Sequence, residues 1–114
     1  MSECIFCKIV NKEIPTQIVY EDDTVIAFND IAPQAPVHVL VIPKKHVADI
    51  TSLEETELPL LAHIFKILRQ IAKEKGIEDE GYRIVNNCKD YGGQTVGHLH
   101  FHLLGGRQMQ WPPG

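Results

Sequence analysis

Residues 98–102 read His98-Leu99-His100-Phe101-His102, three imidazoles alternating with apolar side chains and followed by Leu103 and Leu104. Successive side chains of a β-strand point to opposite faces. The spacing therefore predicts a strand with all three histidines on one face and Leu99, Phe101 and Leu103 on the other. Such a strand packs on one side and leaves the other for chemistry. Imidazole titrates near neutrality and serves as acid, base, nucleophile or metal ligand, so three on one ladder form a candidate site. The competing reading is an amphipathic strand whose exposed face merely happens to hold histidines.

The chain has 114 residues, 44% of them hydrophobic, enough to bury one core; this predicts a single domain over residues 1–114. A formal charge of -4 argues against a broad basic surface for nucleic acid or anionic membrane, so any phosphate has to be handled locally. The three cysteines, Cys4, Cys7 and Cys88, cannot all pair within one chain, and Cys4 and Cys7 form a Cys-x-x-Cys, which fits a reducing, cytoplasmic setting. Met1-Ser2-Glu3-Cys4 lacks a basic stretch leading into an apolar run, and no segment approaches the roughly 20 apolar residues of a membrane span.

Ile5, Phe6, Ile9 and Val10 recur at helical spacing and predict a short N-terminal helix ended by Ile14-Pro15. Gln17–Tyr20 and Thr24–Phe28 are β-branched and aromatic runs around the acidic turn Glu21-Asp22-Asp23, which predicts a hairpin. A third strand is expected over Val37–Ile42, between Pro33 and Pro36 on one side and Pro43 on the other. A long helix is expected over Glu57–Lys75, with Leu58, Leu61, Phe65, Leu68 and Ala72 as its buried stripe and Gly76 as its stop. Thr56 as N-cap leaves Pro59 in the first turn; a start at Ser52 with a Glu55 capping box would put Pro59 inside the helix at about 3 kcal/mol. His63, on this helix, reads as packing or surface. Tyr82–Val85 makes a fourth strand, a loop runs from Asn86 to Gly97, and the histidine strand closes the set. Short connections between strands imply an α+β fold: a five-stranded antiparallel sheet with one long helix and a short N-terminal helix.

Two constellations carry chemistry. Cys4 and Cys7 have the spacing of zinc ligands that histidines elsewhere can complete; their alternative role is as two small buried hydrophobes. A thioredoxin-like redox motif would follow a strand, and here none precedes it. The second constellation joins the histidine strand to Gly92-Gly93-Gln94-Thr95-Val96-Gly97, whose glycines let backbone N–H groups approach an anion and whose Thr95 adds a hydroxyl. A third arrangement, a catalytic zinc held by His98, His100 and His102 together, stays open at this point.

His98-Leu99-His100-Phe101-His102-Leu103-Leu104 resembles the motif of the histidine triad (HIT) nucleotide-binding proteins. The similarity covers nearly the whole chain: Ile14-Pro15, Glu21-Asp22-Asp23, Asp30 to His46 with Pro33-Gln34-Ala35-Pro36, and Gly105-Gly106-Arg107-Gln108-Met109 through Trp111-Pro112-Pro113-Gly114 are similar to the Hint branch. The resemblance implies a homodimer whose sheet extends between subunits through the long helix and the Tyr82–Val85 edge, with Trp111 reaching the partner's site. It also implies hydrolysis of purine nucleoside phosphoramidates or aminoacyl-adenylates without a catalytic metal. Other HIT branches cleave dinucleoside polyphosphates or transfer nucleotides, and a nucleotide-binding adaptor with little turnover is the alternative of another class.

By the same resemblance His100 attacks the α-phosphorus and forms a covalent nucleotidyl-histidine. His102 and His38 contact the phosphate, Thr95 lies near the phosphoryl oxygens and works with His102 to pass a proton to the amine, and Asn87 bonds the phosphate or ribose side. Gln94 and Val96 line the phosphate loop. The nucleoside pocket maps onto Ile5, Phe6, Ile9, Ile14, Phe28, Asn29, Asp30 and Ile31, with Asp30 accepting from the ribose hydroxyls; read from the residues alone, Ile5, Phe6, Ile9 and Phe28 are plain core. A structural zinc is implied at Cys4, Cys7, His46 and His98. Gly97 and Asn29 depart from the residues frequent in close relatives and bear on substrate preference.

Overall fold

The computed structural model describes residues 4–114, and in it five antiparallel strands make one sheet ordered β1-β2-β3-β5-β4. Chain order runs α1 (Ile5–Val10), β1 (Ile18–Glu21), β2 (Val25–Asn29), β3 (Val37–Pro43), single 3₁₀ turns at Ile50–Ser52 and Glu55–Glu57, α2 (Leu58–Glu74), β4 (Tyr82–Val85), α3 (Lys89–Gly92) and β5 (Phe101–Gly105). This is the expected α+β architecture of five strands, one long helix and a short N-terminal helix.

The β1–β2 turn is tied by Asp22. Its Oδ1 accepts from the Thr24 and Val25 amides at 2.7 and 2.8 Å, while Oδ2 accepts from the Tyr20 hydroxyl at 2.8 Å and faces His63 Nε2 at 2.7 Å. His63 therefore fastens α2 to the hairpin. Burial pushes the Asp22 carboxyl up, but the Val25 and Thr24 amides, His63 and Tyr20 together hold it well below the usual carboxylate range. A depressed folded-state value stabilises the fold above the unfolded value of about 3.9, and that contribution fades as pH falls through the folded one. Asp22→Asn is expected to lower stability by about 1–3 kcal/mol at neutral pH. Urea unfolding at descending pH should show the two proteins converging.

α2 starts later than a Ser52 capping box would have it and without Thr56 as cap. Glu54 and Glu57 form a capping box around the 3₁₀ turn, and Pro59 falls in the first helical turn, where its missing N–H has no helical partner. The helix stops at Gly76, whose φ of +73° lets its own amide reach Lys73 O at 3.2 Å and that of Ile77 reach Ala72 O at 3.1 Å. Its buried stripe differs from the expected one. Ile64, Ile67, Leu68, Ile71 and Ala72 are buried, whereas Leu58 and Phe65 are 48% and 41% exposed and Leu61 is only partly covered. The helix is apolar over a wide arc, so periodicity alone leaves its rotation undetermined; packing against Val39, Val41 and Leu103 fixes it.

The sheet separates two apolar clusters. On one face Val25, Ala27, Val39, Val41, Leu99, Phe101 and Leu103 pack under α2; on the other Ile26, Phe28, Leu40 and Ile42 pack with Phe6 and Ile9 of α1. Gly105 is needed where β5 passes Ile77, since a Cβ there would lie 2.6 Å from Ile77 Cδ1. Two further departures concern the segment that carries the histidines. Ladder pairing in β5 begins only at Phe101, opposite Val41, so His98 and His100 precede the strand. The Leu99 amide donates to Val47 O at 2.7 Å and the Asn86 side chain to His100 O at 2.9 Å, and these bonds keep residues 98–100 extended outside the sheet. The alternation nevertheless survives, with Leu99 fully buried in the α2 core. The loop 86–97 also contains the helical turn α3, closed by Gly93 at φ +78°.

Candidate active site and metal centre

His38 on β3 and His102 on β5 meet because Leu40 pairs with His102 across the two strands, which sets His38 one pleat away on the same face. Their hydrogen bonds have only one consistent direction in the neutral state. The Gln34 backbone amide donates to His38 Nδ1 at 3.0 Å, so His38 carries its proton on Nε2. That Nε2 lies 2.9 Å from His102 Nδ1, which therefore accepts, leaving the His102 proton on Nε2. Asp30 Oδ2 stands 3.5 Å from His38 Nε2 and its Oδ1 accepts from the Ala32 amide at 2.8 Å. Burial lowers His38, with Asp30 working against it, and burial, aided by the His100 and His38 rings, lowers His102 to about 4. Asp30, His38 and His102 lie close enough to resemble a metal-binding trio. Yet the Gln34 bond keeps the proton on the His38 nitrogen that would have to be a ligand, so this trio is a directed hydrogen-bond chain.

His100 is 3% exposed, and its Nδ1 lies 2.7 Å from the carbonyl oxygen of His98. A carbonyl only accepts, so Nδ1 bears the proton and Nε2 keeps a bare lone pair. Phe6 lies edge-on to this ring at 5.1 Å and the His102 ring at 5.1 Å on another side. The arrangement supplies a fixed nitrogen nucleophile beside an N–H donor.

His98 faces a different set of groups. Its Nε2 donates to Pro43 O at 2.9 Å, which turns the Nδ1 lone pair toward Cys4 Sγ at 3.4 Å and Cys7 Sγ at 3.6 Å; Cys7 Sγ is 3.2 Å from His46 Nδ1. The four donor atoms all lie within 4.8 Å of one another. Zinc bonds of about 2.3 Å to sulfur and 2.0–2.1 Å to nitrogen at a tetrahedral angle put neighbouring S and N atoms about 3.5 Å apart. The observed spacings fit that figure. Burial, more than the adjoining imidazoles, depresses His98 against the opposing pull of the Pro43 carbonyl, keeping it in the neutral form a metal requires. The rings of His98, His100 and His102 do not converge on one point, which removes the catalytic three-histidine arrangement.

The remaining expected residues divide. Phe6, Ile9, Ile14, Phe28 and Val96 gather in the apolar cluster on the histidine side. Asn29 donates to Gln17 Oε1 at 3.1 Å, and Ile5, Ile31, Thr95 and Trp111 are exposed, Ile31 at 98% and Trp111 at 81%. Gln94 holds the loop itself: its amide donates to Ala48 O and Val96 O, and its oxygen accepts from the Lys89 amide. Asn87 is half-buried, while its neighbour Asn86, which the sequence reading passed over, makes the bond to His100 O. The Asn-Asn pair leaving a strand was the available signal for that brace. A cavity of about 310 Å³ opens beside Asn29, Asp30 and His38. A larger one, about 620 Å³ around Arg83 and Arg107, holds no histidine, and chemistry outweighs volume in locating the site.

Comparison with known proteins gives three findings. Residues 3–111 match the family described as scavenger mRNA decapping enzyme C-term binding. A HIT-like protein of Synechococcus elongatus is 54% identical over 115 residues, covering 100% of both chains, and a 14 kDa zinc-binding protein of Zea mays is 50% identical, covering 99% of this chain and 89% of that one. The crystal structure of a HIT family hydrolase from Legionella pneumophila superposes with a TM-score of 0.96 at 51% identity, covering 98% of this chain and 100% of that one.

Proposed function

The chain belongs to the histidine triad family, and on that premise we propose that it is a nucleotide hydrolase cleaving the P–N bond of purine nucleoside 5'-phosphoramidates or aminoacyl-adenylates. The observation that carries this reading is the 2.7 Å bond from His100 Nδ1–H to the His98 carbonyl, which leaves the Nε2 lone pair to act as a nucleophile. His100 Nε2 attacks the α-phosphorus, the P–N bond breaks toward nitrogen, and the covalent nucleotidyl-histidine is released by water as the nucleoside monophosphate. His102 donates through Nε2–H to a phosphoryl oxygen. The bound phosphate's negative charge raises the proton affinity of the His38–His102 pair, which takes up one proton from solvent as substrate binds; His102 Nε2, with Thr95, passes a proton to the departing amine and the pair returns to neutral. His38 keeps His102 in that tautomer.

Asp30 and Asn87 serve the ribose and phosphate sides, Ile5 and Ile31 offer apolar surface to the purine, and the exposed Trp111 reaches toward the partner subunit's site. Cys4, Cys7, His46 and His98 hold a zinc ion in a closed set that supports the fold and supplies no bond-making step. Two copies associate through the exposed Leu58 and Phe65 of α2 and the β4 edge, which scattering in solution checks as twice the chain mass.

The deciding assay follows adenosine 5'-phosphoramidate and a dinucleoside polyphosphate side by side by ³¹P NMR. Rapid conversion of the first to AMP is expected; cleavage of the second with the first untouched would move the chain to another branch. Because burial lowers His102 to about 4, its ring resonances in the nucleotide-free protein should show no inflection between about pH 5.5 and 8. Saturating AMP should move the inflection upward.

A further inference from the structure

The six residues of α1 are too few to hold a helix in water unaided, since isolated helices need about 12–15. Its position depends on what it touches. Cys4 caps it, accepting from the Cys7 amide at 3.4 Å, and both sulfurs face the imidazoles of His98 and His46. Between the two cysteines stands Phe6, 7% exposed, whose ring lies edge-on to His100 at 5.1 Å and 85°, to His98 at 5.9 Å and to Phe28 at 5.5 Å. His98 has two attachments of its own: its ring sits among the sulfurs and its carbonyl accepts from His100 Nδ1. Two mechanical routes thus lead from the four-donor cluster to one ring, through Phe6 on the side of His100 and through the His98 carbonyl at its protonated nitrogen.

We propose that Phe6 is a positioning residue for His100, and that Cys4, Cys7, His46 and His98, closed around a metal ion, keep the nucleophile oriented by fixing α1 and the His98 backbone. This rests on His100 being the attacking group. With the donors closed, Phe6 cannot withdraw and His100 is confined to the tilt its Nδ1–H bond allows. With the donors released, α1 is held by the apolar packing of Phe6, Ile9 and Val10, and His100 gains rotational freedom. A misplacement of about 1 Å in a reacting group is enough for a loss on the order of 10²-fold.

The test compares wild type loaded with zinc, wild type treated with a chelator, His46→Ala, Phe6→Leu and the double variant. Metal content, the ¹⁵N-edited resonance of His100 Nδ1–H, and kcat and KM on adenosine 5'-phosphoramidate are read for each. His46 lies outside α1 and meets it at Cys7 Sγ, 3.2 Å away, so its removal opens the cluster while leaving the packing of Phe6 and Ile9 in place. Chelation and His46→Ala should both speed water exchange at His100 Nδ1–H and lower kcat roughly 10- to 100-fold with KM little changed. Phe6→Leu, which keeps an apolar side chain where Phe6→Ala risks unfolding, should retain its metal and show the same two changes. The double variant should lose little more than either single one. Unchanged exchange and kcat in the chelated protein, or in metal-loaded Phe6→Leu, overturns the proposal. Altered exchange in a protein that turns over no phosphoramidate even when loaded upholds the positioning and overturns the substrate assignment instead.

Discussion

Replacing His100 with alanine should reduce phosphoramidate turnover on the order of 10⁴-fold or more while AMP still binds. The loss is large because, in the proposed reaction, His100 provides the bond to phosphorus, and no neighbour is placed to replace it. His102 directs its protonated nitrogen outward and keeps its lone pair against His38, and His98 aims its own lone pair at two sulfurs. Reversing either tautomer would break a bond to Gln34 or to Pro43. Single-turnover kinetics with acid quenching checks this directly. The wild type should accumulate label on protein and His100→Ala should not, whereas labelled protein from the variant would identify a different nucleophile.

Removing metal should have the largest effect on stability. A ligand held at 1,000 times its dissociation constant contributes about 4 kcal/mol to the folded state. In a domain of this size that corresponds to a fall in Tm of about 10–20 °C. The chain should nonetheless stay folded when stripped, because the core beneath α2 contains none of the four donors and is complete without them. Thermal scans with and without a chelator check this, with zinc restoring the original Tm. Cys7→Ala should melt at the lower temperature and ignore both reagents.

Strand number, the long helix, the histidine ladder and the Cys4–Cys7 pair were legible in the sequence because each rests on local pattern: alternation, wide apolar arcs, Cys-x-x-Cys spacing; His46 and His98 as partners of the sulfurs came only from the family resemblance. What could not be read depends on register. Where β5 begins is decided by Val47 O and Asn86 capturing residues 99 and 100, contacts 52 and 14 positions away in the chain whose geometry no periodicity encodes. The rotation of α2 was ambiguous for a related reason, since Phe65 and Ile64 are equally apolar and only the strands beneath distinguish them. Gln34 was invisible as well, because it acts on His38 through its backbone amide and any residue there except proline would carry the same donor. Motif resemblance located His38 but not the bond that fixes its tautomer.

The alternation at 98–103 makes this segment a partition between two kinds of experimental readout. Odd positions look into the α2 core, so changes at Leu99, Phe101 or Leu103 should register in melting temperature and unfolding free energy before they register in chemistry. Even positions look the other way, where His98, His100 and His102 each answer to a different neighbour: a pair of sulfurs, a carbonyl and a second imidazole. A saturation scan of these six consecutive residues should therefore split into two interleaved profiles, one thermal and one kinetic. His98 should appear in both, because its ring belongs to the four-donor cluster and its carbonyl accepts from His100 Nδ1.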